Sequence, residues 1–206
     1  MTTPGHPPAP EPPPTARARD LTGVTLRTER LILRPWAEAD VDAITAACQD
    51  PLIQRYIPVP VPYTRADAET FVRVTAPHIR ATGTGAIFGV FVAGTGEMVG
   101  SIGVHDLNRL DAPYGGAGEI GYWTAPGARG RGYMTEALRE LCRWSFEELG
   151  LARIEWLAIA GNEGSWRVAQ KAGFTREGTL RARTVHRGVR EDTWIGSLLR
   201  TELRAA

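Results

Sequence analysis

The sequence predicts an α/β domain with a mixed, mostly antiparallel central sheet of about seven strands and helices on both faces. Two patterns support this prediction. In the first half, runs of β-branched and aromatic residues alternate with turns that contain Gly or Pro, which is typical of antiparallel strands. Farther along, segments with strand and helix periodicity alternate, so that helices are expected to cover the sheet. With 206 residues, 43% of them hydrophobic, the chain can bury one core of ordinary size.

The first half is predicted to contain a strand with a turn in it, two helices and a hairpin. These elements cover residues 25–34, 37–48, 64–80, and 86–93 with 97–105. Pro35 ends the strand, and Thr64 is a suitable N-cap for the second helix. Three alternating prolines in residues 56–63 exclude a regular element there.

The second half is predicted to alternate strands and helices. They cover residues 119–124, 132–149, 152–160 and 165–172, followed by strands that begin at Phe174 and span 192–199. Gly150 and Gly173 stand where helix C-caps belong. Gly121 lies inside a strand, which indicates a β-bulge.

Composition and charge exclude several classes of protein. The net charge of +1 argues against nucleic acid as a bulk electrostatic partner. No apolar run approaches the length of a transmembrane helix, and the N-terminus has no signal-peptide core. The two cysteines form neither a disulfide framework nor a zinc pattern. We therefore expect a soluble, cytoplasmic protein that does not bind membranes.

The N-terminal segment differs from the rest of the chain. Seven of the 15 prolines fall in the first 14 residues, which offer little apolar surface to bury. We expect residues 1–20 to form a disordered, Pro-rich tail and residues 21–206 to form a single domain.

Residues 129–134, Arg-Gly-Arg-Gly-Tyr-Met, lie between a predicted strand and the long helix. Gly130 and Gly132 allow close approach of the backbone to a ligand, and the helix offers unpaired N–H groups at its positive end. This combination is suited to a pyrophosphate. A surface turn that needs glycines for its geometry explains the same residues equally well. The Gly-x-Gly-x-x-Gly pattern and the P-loop lysine are absent, so neither nucleotide-binding motif applies.

Several motifs in a fixed order resemble the GNAT superfamily of acetyl-CoA-dependent N-acetyltransferases. They are Glu-Ile-Gly-Tyr-Trp at 119–123, Arg-x-x-Gly-x-Met at 129–134, Asn-x-x-Ser at 162–165 and Lys-x-Gly-Phe at 171–174. Within that superfamily the chain is most similar to the RimJ/RimL branch, which acetylates N-terminal amines of ribosomal proteins. Arg-Leu-Ile-Leu-Arg-Pro at 30–35 and Tyr-Ile-Pro at 56–58 add to the resemblance, which covers about residues 24–200.

The resemblance implies a GNAT fold and an acetyl-CoA site. The sheet would splay at the bulge, and the strand bearing Tyr122, Trp123 and Thr124 would pair with the pantetheine arm. The Tyr122 N–H would stabilise the oxyanion, and Asn162 would bind a pantetheine amide or a water. The pyrophosphate would be held by the loop and first helical turn, which comprise Arg129, Gly130, Arg131, Gly132, Tyr133, Met134 and Thr135.

The resemblance also implies acid–base roles. Glu119 stands where several members place a general base, acting directly or through water. The alternative is an ordinary strand residue paired with an arginine. Many relatives protonate the thiolate with a tyrosine, but Ala169 occupies that position here. Ser165 is therefore the candidate acid, acting through water, and both Ser165 and Asn162 are expected to contact the cofactor.

The predicted reaction is acetyl transfer to a primary amine, with a protein N-terminal α-amine as the leading acceptor. Amino acids, polyamines, aminoglycosides, a longer acyl donor such as succinyl-CoA and a non-catalytic acyl-CoA-binding module remain alternatives. The acceptor is expected beside the first two helices, residues 56–63 and a basic hairpin at 183–190. The basic run at 181–190 is interpreted as a solvated hairpin, with an acidic peptide or ribosomal RNA as alternative partners. Dimers occur among such relatives, so a homodimer is an expectation from the resemblance alone.

The histidines are predicted to be structural. His78, His105 and His186 lie far apart in sequence and lack metal-ligand spacing, so no metal site is expected.

Overall fold

The computed structural model describes residues 20–108 and 114–203. The predicted tail lies outside the described residues, except for Asp20. An eight-stranded sheet runs in the order β1-β2-β3-β4-β5-β6-β8-β7, in which only β5 and β6 are parallel neighbours. The strands are β1 (Leu26–Arg27), β2 (Leu31–Arg34), β3 (Ala86–Val92), β4 (Met98–Asn108), β5 (Gly116–Thr124), β6 (Leu151–Ile159), β7 (Thr175–His186) and β8 (Val189–Leu199). The count exceeds the expected seven because the turn in the first predicted strand separates β1 from β2.

Six α-helices lie in the described parts of the chain. They are α1 (Val41–Ala47), α2 (Pro51–Tyr56), α3 (Arg65–Thr70), α4 (Ala76–Ala81), α5 (Tyr133–Glu147) and α6 (Glu163–Ala172). A π-helical turn at Phe71–Thr75 joins α3 to α4, so together they form the predicted second helix. Helix α2 was not predicted, although Asp50 caps it by accepting hydrogen bonds from two backbone N–H groups, and Pro51 follows at the first helical position.

Helices cover both faces of the sheet, as the sequence predicts. On one face, α5 and α6 contribute Leu138, Leu141 and Ala169 to a core that includes Trp156 of β6. On the other face, α1 to α4 surround a second cluster centred on Trp36. No helix in the described residues is long and apolar enough to cross a membrane.

The sheet splays between its two parallel strands. The register of β5 with β6 ends at Ile120 and Trp156, while β5 continues to Thr124 and β6 to Ile159. The splay is therefore as expected, but the predicted bulge at Gly121 is wrong. Strand β4 pairs with β5 in regular register from Gly100/Thr124 to His105/Glu119, and the register shifts of β5 lie outside that stretch.

A close side-chain approach explains Gly121 instead. A Cβ at this position would lie 3.2 Å from Nε2 of His105, which is tighter than most carbon contacts allow. Glycine inside a strand often marks such an approach.

Candidate active site

A cleft of about 580 Å³ opens where β5 and β6 separate. Its walls are the end of β5, the loop before α5, the start of α6 and one side of α2. It brings together the predicted cofactor-binding residues Tyr122, Trp123, Thr124, Arg129, Gly130, Gly132, Tyr133, Met134, Thr135, Asn162 and Ser165. Arg131 and Glu119 are the two predicted site residues that do not line it.

The glycine loop turns sharply into α5. Gly130 and Gly132 have φ of +74° and +79°, a conformation that other residues adopt only with strain. The first helical hydrogen bond runs from the Glu136 N–H to the Gly132 carbonyl at 3.1 Å. The N–H groups of residues 133–135 therefore point out of the helix N-terminus, at the positive end of its dipole. This arrangement can bind a phosphate oxygen.

Arg129 anchors this loop to α2. Its guanidinium lies 2.6 Å and 3.2 Å from the two carboxylate oxygens of Asp50, and its Nε donates to the Thr124 carbonyl at 3.2 Å. The hydrogen bond from Arg129, with the N–H groups of Leu52 and Ile53 that Asp50 caps, holds the pKa of Asp50 below its ordinary value.

Arg131 does not line the cleft. Its guanidinium is 3.4 Å from Glu97 and lies over the ring of Tyr133. The expected contribution of its charge to anion binding stays a prediction.

Ser165 and Tyr122 form a hydrogen-bonded network beneath the cleft. Trp156 Nε1 donates to Ser165 Oγ at 2.9 Å, Ser165 Oγ donates to Tyr122 Oη at 3.1 Å, and Tyr122 Oη donates to the Ser165 carbonyl at 2.7 Å. Asn162 fixes the same turn by accepting from the Ser165 N–H at 3.1 Å. Burial raises the pKa of the Tyr122 phenol, so it remains protonated and acts as a donor.

Glu119 lies on the opposite face of β5 from Tyr122 and Ile120. It is the residue before the last β5–β6 pair, with His105 of β4 and Glu155 of β6 as its two register partners. Burial raises the pKa of Glu119, and the charges of Asp106 and Glu155 raise it further, while His105 and Arg183 oppose this shift. The spacing of residues in the sequence did not point to His105. Its one signal was Gly121, because a glycine inside a strand often marks the close approach of another group.

The predicted acceptor side is held together by contacts between distant segments. Arg187, in the turn of the β7–β8 hairpin, donates to the carbonyls of Gln54 at 2.8 Å and Val59 at 3.2 Å. Arg55 of α2 forms an ion pair of 3.0 Å with Glu191. The segment at 56–63 and the late hairpin are therefore neighbours, as the sequence analysis expects.

The cleft has the features that an acyl-CoA molecule requires. A glycine loop and helix N-terminus suit the pyrophosphate, and the end of β5 has lost its β6 partner, so its backbone can pair with an extended amide-containing chain. Fold and site together define a transferase that uses an acyl-CoA donor.

Comparison with known proteins agrees. The family model described as "Acetyltransferase (GNAT) domain" matches residues 30–175, and the chain belongs to this family. It is 30% identical to the uncharacterized N-acetyltransferase YoaA of Bacillus subtilis over 85% of this chain and 96% of that protein. It is 37% identical to the putative ribosomal N-acetyltransferase YdaF of Bacillus subtilis over 52% of this chain and 56% of that protein.

A solved structure shares the fold. The ribosomal L7/L12 α-N-protein acetyltransferase RimL, in complex with coenzyme A, superposes with a TM-score of 0.74 and 20% identity, covering 85% of this chain and 98% of that one. The chain is thus an acetyltransferase that uses acetyl-CoA, with a RimJ/RimL-like architecture.

Proposed function

We propose that this protein transfers the acetyl group of acetyl-CoA to the N-terminal α-amine of a protein substrate. The observation that carries this proposal is a cluster of three carboxylates around the splay. Glu119, Glu155 and Asp106 lie on three neighbouring strands, on the side of the sheet that faces α1 to α4. Glu155 also pairs with Arg153 at 2.9 Å. The cluster would attract an ammonium group. The names of the relatives YdaF and RimL support a ribosomal-protein-like acceptor.

The donor side is proposed to bind acetyl-CoA through the backbone. The N–H groups of the 129–135 segment would hold the pyrophosphate, with the Thr135 hydroxyl as an added donor. The free edge of β5 at residues 122–124 would pair with the pantetheine amides, and Asn162 would accept or donate at the same arm. When bound, acetyl-CoA supplies an acetyl group activated as a thioester.

Two backbone and side-chain groups would assist the transfer. The Tyr122 N–H lies beyond the last β5–β6 pair, so it can donate to a carbonyl oxygen placed in the opening. Ser165 is proposed to assist the departing sulfur through water. The Ser165 hydroxyl donates to Tyr122 Oη, and the phenol donates to the Ser165 carbonyl, so this role would require the Ser165 hydroxyl to rotate toward the water at the sulfur.

The chemistry favours an α-amine over a lysine side chain. An α-amine has a pKa of about 7.7–8.0, whereas a lysine amine has one of about 10.4. The α-amine is already partly neutral at pH 7. A base formed by a carboxylate and an imidazole therefore has to accept only the one proton that the nitrogen loses during attack. The base on the Glu119 side of the sheet therefore suits protein N-termini.

A thiol-release assay tests the acceptor class. Peptides that begin with Ala or Ser would be compared with the same peptides blocked at the N-terminus and carrying one internal lysine. Spermidine, free amino acids and an aminoglycoside complete the panel, with succinyl-CoA as a second donor. We expect turnover of the free N-terminal peptides with acetyl-CoA only. Turnover confined to a small amine or to lysine would overturn the proposed acceptor.

A further inference from the structure

We propose that His105, through Nε2, is the catalytic proton acceptor for the attacking amine, and that Glu119 and Asp106 are positioning residues that hold its imidazole. This assignment deepens the proposed amine acetylation and rests on it. It replaces direct proton transfer to Glu119, the role that the family resemblance implies for that residue.

Two carboxylates lie beside the imidazole. His105 is the register partner of Glu119, and its Nδ1 lies 3.5 Å from Oδ2 of Asp106. A ring nitrogen of His105 and one carboxylate oxygen from each of Asp106 and Glu119 lie within 4.8 Å of one another. A carboxylate beside one ring nitrogen fixes the ring orientation and leaves the other nitrogen to face the reaction.

The free nitrogen points along β5 toward the opening. Nε2 of His105 lies 3.2 Å from the place where a Cβ of Gly121 would be. Gly121 is the first residue after the last β5–β6 pair, and Tyr122, the proposed oxyanion donor, follows it. The imidazole therefore reaches the level of Gly121, two residues beyond Glu119 toward the opening, through the space that a glycine leaves.

Both side chains are partly accessible. The His105 side chain is 36% exposed, so an acceptor amine or a bridging water can reach it. Glu119 lies behind the ring with respect to Gly121, where its carboxylate can stabilise the cation that forms on the imidazole.

The proton balance is straightforward. A bond forms between the amine nitrogen and the acetyl carbon, and the carbon–sulfur bond breaks, so the sulfur leaves with the electron pair. The nitrogen loses one proton, which Nε2 accepts. The resulting imidazolium lies beside the carboxylates of Asp106 and Glu119. Glu155 and Arg183 act on Glu119 in opposite directions, and Glu155 is itself paired with Arg153 at 2.9 Å.

The test combines removal, rescue and displacement of the imidazole. The full chain would carry His105→Gln, His105→Ala, Glu119→Gln or Gly121→Ala, with His78→Gln, an exposed position on α4, as the matched control. The readouts are the dependence of kcat/KM on pH, measured with whichever amine the wild type acetylates, and the Kd of acetyl-CoA. Hydrolysis of acetyl-CoA without amine provides a readout that is independent of the acceptor, because water needs the same proton acceptor.

For His105→Gln we expect kcat/KM to fall by about 100-fold or more, the loss typical of a missing general base. The increase of kcat/KM with pH that comes from deprotonation of a group on the enzyme (the rising limb) should disappear. The Kd of acetyl-CoA should stay within about twofold. Free imidazole should restore at least part of the rate in His105→Ala. Glu119→Gln should shift the rising limb without abolishing it, and Gly121→Ala should lower kcat because its Cβ displaces the ring.

Three results would overturn this assignment. They are an unchanged pH profile in His105→Gln for both amine transfer and hydrolysis, complete loss of the limb in Glu119→Gln with His105→Gln active, and loss of wild-type activity on treatment with EDTA, which would assign the cluster to a metal ion. A small amine as the only acceptor would contradict the proposed function. The role of His105 would then be tested with that amine.

Discussion

Trp156 Nε1 lies 2.9 Å from Ser165 Oγ, and this hydrogen bond joins strand β6 to helix α6 beside the splay. The indole of Trp156 is almost completely buried, so its N–H has no access to water as an alternative partner. Ser165 therefore has a structural task in addition to any role in proton transfer, because its hydroxyl is the hydrogen-bond acceptor of that buried N–H. The Tyr122 phenol also donates to the Ser165 backbone carbonyl, which a change of the side chain leaves in place.

Replacement of Ser165 by Ala should therefore reduce stability. The change leaves a buried N–H unpaired, at a cost of about 1–3 kcal/mol in the free energy of unfolding. Ser145→Ala is the matched control, because Ser145 Oγ is buried without a hydrogen-bond partner in the described residues. Urea denaturation should show a lower midpoint for Ser165→Ala and none of that loss for Ser145→Ala. Equal effects of the two changes would contradict the network.

Replacement of Gly132 by Val should weaken acetyl-CoA binding. The φ of +79° is strained for any residue with a Cβ, by about 1–2 kcal/mol, so the loop should leave the conformation that presents its N–H groups. We expect at least a tenfold higher Kd by calorimetry, about 1.4 kcal/mol. Gly127→Ala, three residues before Gly130 and with open space around its Cβ position, should bind normally. Unchanged affinity in Gly132→Val would refute the anion cradle.

The stability of the protein should depend on pH with opposite signs at Glu119 and Glu136. The pKa of Glu119 is raised, so the folded state favours its protonated form. Its contribution to the free energy of unfolding is fully present below the ordinary carboxyl pKa and is lost as pH rises through the raised pKa. Glu119→Gln should thus become more stable than the wild type toward neutral pH.

Glu136 provides the opposite case. Burial favours its protonated form, but hydrogen bonds from Thr28 and Arg30 outweigh burial and hold its pKa below the ordinary value. Its contribution is present above the ordinary carboxyl value and is lost as pH falls through the lowered pKa. Glu136→Gln should be less stable than the wild type at pH 7, and the difference should vanish in acid. Parallel pH dependences of the two variants in thermal unfolding would be inconsistent with these environments.

Removal of the Arg187 side chain should affect the acceptor and not the donor. The guanidinium joins the hairpin turn to the carbonyls of Gln54 and Val59, and each such bond contributes about 1 kcal/mol. Arg187→Ala should raise the acceptor KM about five- to tenfold with an unchanged Kd for acetyl-CoA. Arg190→Ala is the control, because Arg190 bonds within the hairpin to the Ala182 carbonyl. A rise in the Kd of acetyl-CoA would place the hairpin on the donor side instead.

Local sequence signals were sufficient for most of the elements. The periodicity of α5, the capping residues Thr64 and Asn162, and the C-cap Gly173, with φ of +108°, all act through neighbours in the chain. Helix α2 had an equally local signal in Asp50 and Pro51 but was obscured by the prolines that follow it.

The predicted site residues lie together where their placement depends on the chain's own turns. The glycine loop and the Asn162 turn face the end of β5, because each immediately follows a strand that borders the splay. Arg131 is the exception, because it does not line the cleft. Its ion pair with Glu97 depends on where the turn between β3 and β4 lies relative to the loop, and that is a tertiary contact.

The sequence by itself determined the α/β class, the glycine loop before α5 and the family, since these depend on periodicity, glycine conformation and motif order within short stretches. Only the tertiary structure decided what Gly121, Ser165 and His105 contact. Strand register places the His105 ring over Gly121, and the docking of α6 on β6 pairs Ser165 with Trp156. These contacts join residues far apart in the chain, and spacing along a sequence carries no information about register between strands.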